Sequence, residues 1–129
     1  MRISHYHITE LKPNEVFVYG DNEAHIHGAG AAKQAIKWGA KYYKSGLQGQ
    51  TLGIPTKNKR LNVLGLGKIS KHIDEFIEFT KTRPDLIFLV TEIGCGLAGY
   101  KPEQIAPLFK NAINLENVYL PKSFWNILL

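Results

Sequence analysis

Apolar residues in this chain form short continuous runs that alternate with longer segments of helical periodicity. Residues 16–19 and 86–90 form two such runs of β-branched, aromatic and other apolar residues, which predict buried strands. The second run is unbroken, as is typical of a central strand covered on both faces. Weaker runs predict strands at residues 51–54 and 117–120 and a strand or turn at 61–64.

The segments between these runs repeat apolar residues every three or four positions, as the buried face of a helix does. They predict helices over residues 31–43, 70–82 and 102–111, with Ser70 as a cap and Pro102 in a first turn. Strands that alternate with helices form largely parallel sheets with helices on both faces. We therefore predict one three-layer α/β/α domain, residues 1–129, on a mostly parallel mixed sheet.

Composition narrows the class of protein. The chain has 129 residues, of which 44% are hydrophobic and 21% charged, and this balance is that of a globular domain. Cys95 is the single cysteine, so no internal disulfide can form. The N-terminus lacks the apolar core of a secretory signal, and no apolar stretch approaches the ~20 residues of a membrane span. We expect a cytoplasmic protein without a membrane partner.

The charge balance favours anionic partners. Sixteen Lys and Arg residues against eleven Asp and Glu give a net charge of +5. Basic residues are spread along the chain, and only residues 57–60 form a cluster, either to steer an anionic ligand or as a solvated surface loop. Nucleotides therefore fit better than nucleic acid, which usually requires a denser basic surface.

Two glycine-rich segments follow predicted strands, the first after a short loop and the second almost at once. Gly28 and Gly30 precede the first helix, and Gly94, Gly96 and Gly99 precede the last. Glycine lets the backbone approach a ligand closely, and N–H groups at a helix start attract phosphate. The alternative is that these glycines only form tight turns. The third glycine of the dinucleotide-binding fingerprint is absent, and so is the phosphate loop of nucleotide hydrolases.

The sequence around these glycines resembles macrodomains. Residues 28–36 are similar to their glycine-rich segment and helix start, with Asn22 at the position of a ligand-binding asparagine. Residues 93–100, Ile-Gly-Cys-Gly-Leu-Ala-Gly-Tyr, look like their second phosphate loop. Together with residues 17–22 and 54–57, the pattern is closer still to small bacterial and phage macrodomain-like proteins of unsettled function. The resemblance extends over nearly the whole chain and implies a macrodomain-like fold.

Macrodomains bind ADP-ribose and its derivatives, and some remove ADP-ribose from macromolecules. The resemblance therefore implies a small-molecule nucleotide ligand, ADP-ribose or a derivative, free or attached to a macromolecule. His7 stands where many members carry the aspartate that recognises adenine. The predicted ligand-binding residues are Asn22, Gly28, Ala29, Gly30, Gly94, Cys95, Gly96, Leu97, Ala98, Gly99 and Tyr100.

Three residues are candidates for chemistry. Asp21 can orient a water for attack at an anomeric carbon, although Asp21 and Asn22 also suit an Asx turn or cap. His27 can donate to a phosphate or act as a general acid near neutral pH. Glu92 can act as a base or accept from a ribose, or pair with a nearby lysine.

The remaining candidates have structural alternatives. Cys95 is a possible nucleophile whose pKa a nearby helix N-terminus would lower, although small residues also serve packing in such loops. Tyr100 can stack on a base, or pack against the core. The histidines show no metal-site spacing, so we expect neither a metal nor a cofactor.

The sequence thus predicts that two glycine loops bind ADP-ribose or a related nucleotide, with hydrolysis of an ADP-ribose linkage as a secondary prediction. A non-catalytic sensor or sequestering protein is the first alternative, because the same loops suffice to hold a nucleotide. A basic nucleic-acid-binding module is the second.

Overall fold

The computed structural model describes the whole chain, Met1–Leu129, as six strands, four α-helices and two 3₁₀ segments. The strands are β1 (Ile3–Ser4), β2 (Glu15–Asn22), β3 (Leu47–Gln48), β4 (Thr51–Lys57), β5 (Ile87–Val90) and β6 (Val118–Pro121). The helices are α1 (Gly30–Ala35), α2 (Leu66–Lys81), α3 (Pro102–Ile105) and α4 (Lys122–Leu128). The 3₁₀ segments are Ile36–Trp38 and Ala106–Ala112.

The six strands form one sheet in the order β1-β6-β5-β2-β4-β3. Every neighbouring pair is parallel except β3 and β4, which are antiparallel. The mostly parallel mixed sheet predicted from the sequence is therefore confirmed. β5 lies between β2 and β6, the central position that its unbroken apolar run predicts.

Helices cover both faces of the sheet, which confirms the three-layer α/β architecture. Successive side chains of a strand point to opposite faces, and β2 shows this directly. Val16 and Val18 belong to a core cluster of 20 buried residues that includes the buried face of α2. Phe17 and Tyr19 belong to a second cluster of 7 buried residues on the side of α1.

The helix α2 begins at Leu66, four residues before the predicted cap Ser70. Gly65 occupies the cap position in an extended conformation, and no side chain caps the helix. The prediction of Ser70 as the cap was wrong because the apolar face continues N-terminally to Leu66, which packs against the larger core. None of the helices is long and apolar enough to cross a lipid bilayer.

The other two predicted helices include 3₁₀ turns that their sequence patterns did not indicate, and only the first ends earlier than predicted. α1 ends at Ala35 and continues as 3₁₀ only to Trp38, because Gly39 takes a left-handed conformation with φ of 109°. α3 changes to 3₁₀ after Ile105, next to Pro107, which has no N–H to donate to an α-helical hydrogen bond.

Strand β4 continues beyond Pro55 to Lys57, so the prediction that Pro55 terminates it was wrong. β3 pairs only with Thr51 and Leu52 of β4. No strand lies beside the outer edge of β4 at Pro55, so no hydrogen bond between strands on that side requires the N–H that proline lacks. Residues 61–64 form no strand, only one isolated bridge between Val63 and Lys57.

Candidate functional site

The carboxyl ends of β2, β4 and β5 meet at one edge of the sheet, where they form a cavity of about 450 Å³, which we call the glycine cavity. Both predicted loops, residues 28–30 and 94–99, contribute residues to its wall. Ligands of open parallel sheets bind at this edge. The predicted ligand-binding residues that line the glycine cavity are Asn22, Gly28, Ala29, Gly30, Gly94, Gly96, Leu97 and Ala98.

A second cavity of about 480 Å³, which we call the N-terminal cavity, adjoins the first. It is lined by residues 4–9, by Cys95 and by residues 121–123 at the start of α4. The two cavities share the four lining residues Ala31, Thr91, Glu92 and Gly96. The two cavities are therefore adjacent, and we refer to them together as the elongated cleft.

The glycines of the two loops fall into two groups. Gly30 and Gly94 have φ of +61° and +77°, left-handed values that L-residues rarely adopt, so backbone conformation alone requires glycine there. Gly28 and Gly96 do not have positive φ, and a Cβ built on either would meet no atom within 4 Å. Neither a turn nor packing requires these two glycines, and both border open space in the glycine cavity.

The Asn22 side chain holds the loop that follows β2. Its Oδ1 accepts hydrogen bonds from the backbone N–H groups of Ala24 and Ile26, at 3.1 and 3.2 Å. Its Nδ2 donates to the Ile26 carbonyl at 2.8 Å. The Asx-type structure that was the alternative to ribose binding is thus present, and one Nδ2 hydrogen stays free of these bonds.

The Asp21 carboxylate lies between two histidines. Its side chain is only 1% exposed, with Oδ2 at 2.8 Å from His25 Nδ1 and Oδ1 at 3.4 Å from His27 Nδ1. Asp21 contributes to the wall of the glycine cavity, but its carboxylate already has two imidazole neighbours. The acid was predicted to orient a water, and the structure places it instead where it orients side chains.

The His27 ring is buried and lines neither cavity of the cleft. Its Nε2 lies 2.9 Å from the Lys41 carbonyl oxygen, and the ring packs edge-on against Tyr19 and Tyr42. This side chain is therefore not placed to reach a phosphate in the cleft. His25, by contrast, lines a separate cavity of about 550 Å³.

Glu92 lines both cavities of the cleft, at the point where they meet. Ser123, in the first turn of α4, donates a hydrogen bond from Oγ to Glu92 Oε2 at 2.6 Å. The predicted lysine pairing of Glu92 is not among the ion pairs of the structure. One carboxylate oxygen is thus fixed, and Oε1 has no hydrogen bond from the protein.

Cys95 lines the N-terminal cavity, and its thiol is not activated. Burial, followed by the charges of Glu92 and Glu103, raises the pKa of Cys95 to about 11. The prediction that a helix N-terminus lowers this pKa was therefore wrong. The following helix, α3, has only four residues, and burial and two nearby carboxylates act in the opposite direction.

Two of the predicted ligand residues line neither cavity of the cleft. Gly99 forms the turn after the second loop, with φ of +85°, and Tyr100 Oη donates to the Leu64 carbonyl at 2.6 Å. Tyr100 also packs against the larger core, which was the structural alternative.

Sequence reasoning missed one feature of the cleft, Tyr6, and left the role of a second, Lys57, open between steering an anionic ligand and a solvated loop. Tyr6 is 79% exposed and packs edge-on against His7, with ring centroids 4.7 Å apart, on the wall of the N-terminal cavity. Lys57 lines the glycine cavity, whereas its neighbour Lys59 lines the cavity of His25. The adjacent aromatic and histidine near the N-terminus were the available signal for the first feature. No group of three or more His, Cys, Asp or Glu side chains is arranged to hold a metal ion.

Comparison with protein families and with curated proteins finds no match to this sequence. Among solved structures, the chain is similar to a protein of unknown function from Bacteroides thetaiotaomicron, with a TM-score of 0.54 and 16% sequence identity. The similarity covers 83% of this chain and 86% of that one. At this identity the likeness extends to the fold alone.

Proposed function

We propose that the protein binds ADP-ribose or a closely related nucleotide in the elongated cleft, with the diphosphate between the two glycine loops. The single observation that carries the proposal is the presence of glycine at positions 28 and 96, in Gly28 and Gly96. Neither backbone conformation nor packing requires glycine at these positions, and both border the glycine cavity. A ligand that lies against the backbone of both loops accounts for them.

The shape of the cleft supports a ligand with two ends. Two adjacent cavities of about 450 and 480 Å³ share Glu92 and Gly96 in their walls, and each falls within the size range of small-molecule sites. Tyr6 and His7 offer ring surface at the far end, where a base can stack. Lys57 offers a positive charge at the near end.

Binding without turnover is the second candidate, and the surroundings of Asp21 and His27 favour it over hydrolysis. Both side chains are buried and hydrogen-bonded within the protein, Asp21 to His25 and His27 to the Lys41 carbonyl, and His27 lines neither cavity of the cleft. Asp21 and Glu92 each keep one carboxylate oxygen without a hydrogen bond, but Asp21 Oδ1 is buried beside the His27 ring, whereas Glu92 lines both cavities. A sensor or sequestering protein needs only a cleft that binds the nucleotide, and no catalytic residue.

Calorimetric titration with ADP-ribose, with AMP, ADP and NAD as comparisons, tests the proposal. Gly96→Val fills the junction of the two cavities without meeting protein atoms at its Cβ, so we expect it to abolish binding while the fold is retained. Gly65→Val is the matched control, because a Cβ at Gly65 is equally unobstructed and lies outside the cleft. Absence of heat with all four nucleotides for the unmodified protein would reject the proposal.

A turnover assay separates the two candidates. An ADP-ribosylated protein or nucleic acid is incubated with the protein and released ADP-ribose is measured, with Glu92→Gln as the comparison. Release that Glu92→Gln removes would establish a hydrolase. Tight binding with no release would establish the sensor or sequestering function.

A further inference from the structure

Glu92 belongs to the wall that the two cavities of the cleft share, and the backbone on either side of it is anchored. Before it, Thr91 donates from its backbone N–H and from Oγ1 to the Val18 carbonyl of β2, at 3.1 and 2.8 Å. After it, the buried side chain of Ile93 is part of the larger core. The Glu92 side chain therefore starts from a fixed point of the fold.

Ser123 fixes the other end of this side chain, because its Oγ donates to Glu92 Oε2 at 2.6 Å. The residues that follow Ser123 attach α4 to the rest of the protein. Phe124 is fully buried, and Trp125 Nε1 donates to the Arg2 carbonyl at 2.7 Å. The Glu92 carboxylate is thus held between β5 and α4, two elements that are distant in sequence.

This carboxylate has no cationic partner. Glu92 takes part in none of the ion pairs of the structure, and its Oε1 accepts no hydrogen bond from the protein. A carboxylate in this state accepts hydrogen bonds from hydroxyl groups and repels phosphate. Carboxylates placed beside a ribose select an unphosphorylated sugar in this way in dinucleotide-binding folds.

We propose that Glu92, positioned by Ser123, selects a nucleotide whose ribose carries free hydroxyl groups and excludes one whose ribose is phosphorylated. The inference rests on the function proposed above. With the diphosphate between the glycine loops and the base beside Tyr6 and His7, the ribose that joins them lies at the shared wall. Its hydroxyl groups then donate to Glu92 Oε1, whereas a 2′-phosphate would bring about two negative charges to the carboxylate. Ser123 acts through Glu92 and is a positioning residue.

Calorimetric titration with ADP-ribose and with its 2′-phosphorylated form tests the selection. We expect the unmodified protein to prefer ADP-ribose at least about tenfold, and Glu92→Gln to weaken ADP-ribose binding and strengthen binding of the 2′-phosphate, so that the preference disappears. Glu116→Gln is the matched control, an equal charge change at an exposed position outside the cavities, and should keep the preference.

The outcomes separate this inference from the proposed function. Binding of ADP-ribose without the preference, or a preference that Glu92→Gln leaves unchanged, would overturn the selection by Glu92 alone. Absence of binding of either nucleotide by the unmodified protein would overturn the selection together with the proposed function.

Ser123→Ala tests the positioning role, with Ser70→Ala on α2, outside the cavities, as the matched control. Ser123→Ala should weaken ADP-ribose binding about three- to tenfold, and Ser123→Thr, which keeps the hydroxyl, should restore it. Three-bond coupling constants from nuclear magnetic resonance of the ligand-free protein should show one Glu92 side-chain rotamer, and several in Ser123→Ala. Several rotamers in the unmodified protein would overturn the positioning role, whether or not a nucleotide binds.

Discussion

Gly53 on β4 lies directly against the Asp21 side chain on β2, so close that a Cβ on Gly53 would be 2.7 Å from Asp21 Oδ2 and 2.8 Å from Asp21 Cβ. The same Cβ would be 3.0 Å from the Tyr19 ring. The neighbouring strand therefore leaves room for the buried carboxylate and its two histidines only because residue 53 has no side chain.

Gly53→Ala should destabilise the protein by about 1–3 kcal/mol, because Asp21 is held by His25 and cannot move away without losing that bond. Urea denaturation measures the change. Gly67→Ala is the control, because a Cβ added at Gly67 meets no atom within 4 Å. Gly67 lies in α2, where replacing glycine with alanine raises stability by up to about 1 kcal/mol. Equal stabilities of the Gly53→Ala and unmodified proteins would contradict this packing.

Tyr19 should make the protein lose stability at alkaline pH. Burial, and then the charge of Asp21, raises the pKa of Tyr19 well above its ordinary value of 10.0. The folded state therefore keeps a proton that the unfolded state releases above about pH 10, so stability is complete below that pH and falls as pH rises beyond it. Denaturation at pH 9 and at pH 11 measures the stability lost between these two pH values, and this loss should be smaller for Tyr19→Phe than for the unmodified protein. Identical losses would show that Tyr19 does not ionise on unfolding.

Cys95 should react slowly with thiol reagents. With its pKa raised from 9.0 to about 11, its thiolate fraction at pH 7.5 is about a hundredfold below that of an unperturbed thiol. The rate of alkylation by iodoacetamide, compared with that of a model cysteine peptide, measures this. Glu92→Gln should increase the rate, because the charge of Glu92 contributes to the shift. A rate as fast as that of the peptide would contradict the assigned surroundings.

Lys57→Gln should weaken ADP-ribose binding about tenfold, the loss expected when one charged hydrogen-bond donor is removed. Lys57 lines the glycine cavity, and Lys59 lines a different one. Lys59→Gln is therefore a control of equal charge, and calorimetry should show little change for it. Equal weakening by both variants would indicate that only the net charge of the protein attracts the ligand.

The amino-acid sequence by itself determined the frame of this protein. The runs at residues 16–19 and 86–90 specify β2 and β5, because a continuous apolar segment must be buried wherever it lies. The glycine loops after them were visible for the same local reason, since they follow those strands in the sequence. Three-layer architecture followed from the alternation of strands and helices.

The tertiary structure decided what local patterns do not contain. β1 has only two residues and exists because it pairs with β6, more than a hundred positions away. Asp21 and His27 are chemically able to act in a cleft, but Gly53 leaves room for Asp21 to bond His25, and His27 bonds the Lys41 carbonyl. Which polar groups meet depends on strand register and on contacts distant in sequence, and no periodicity along the chain records these.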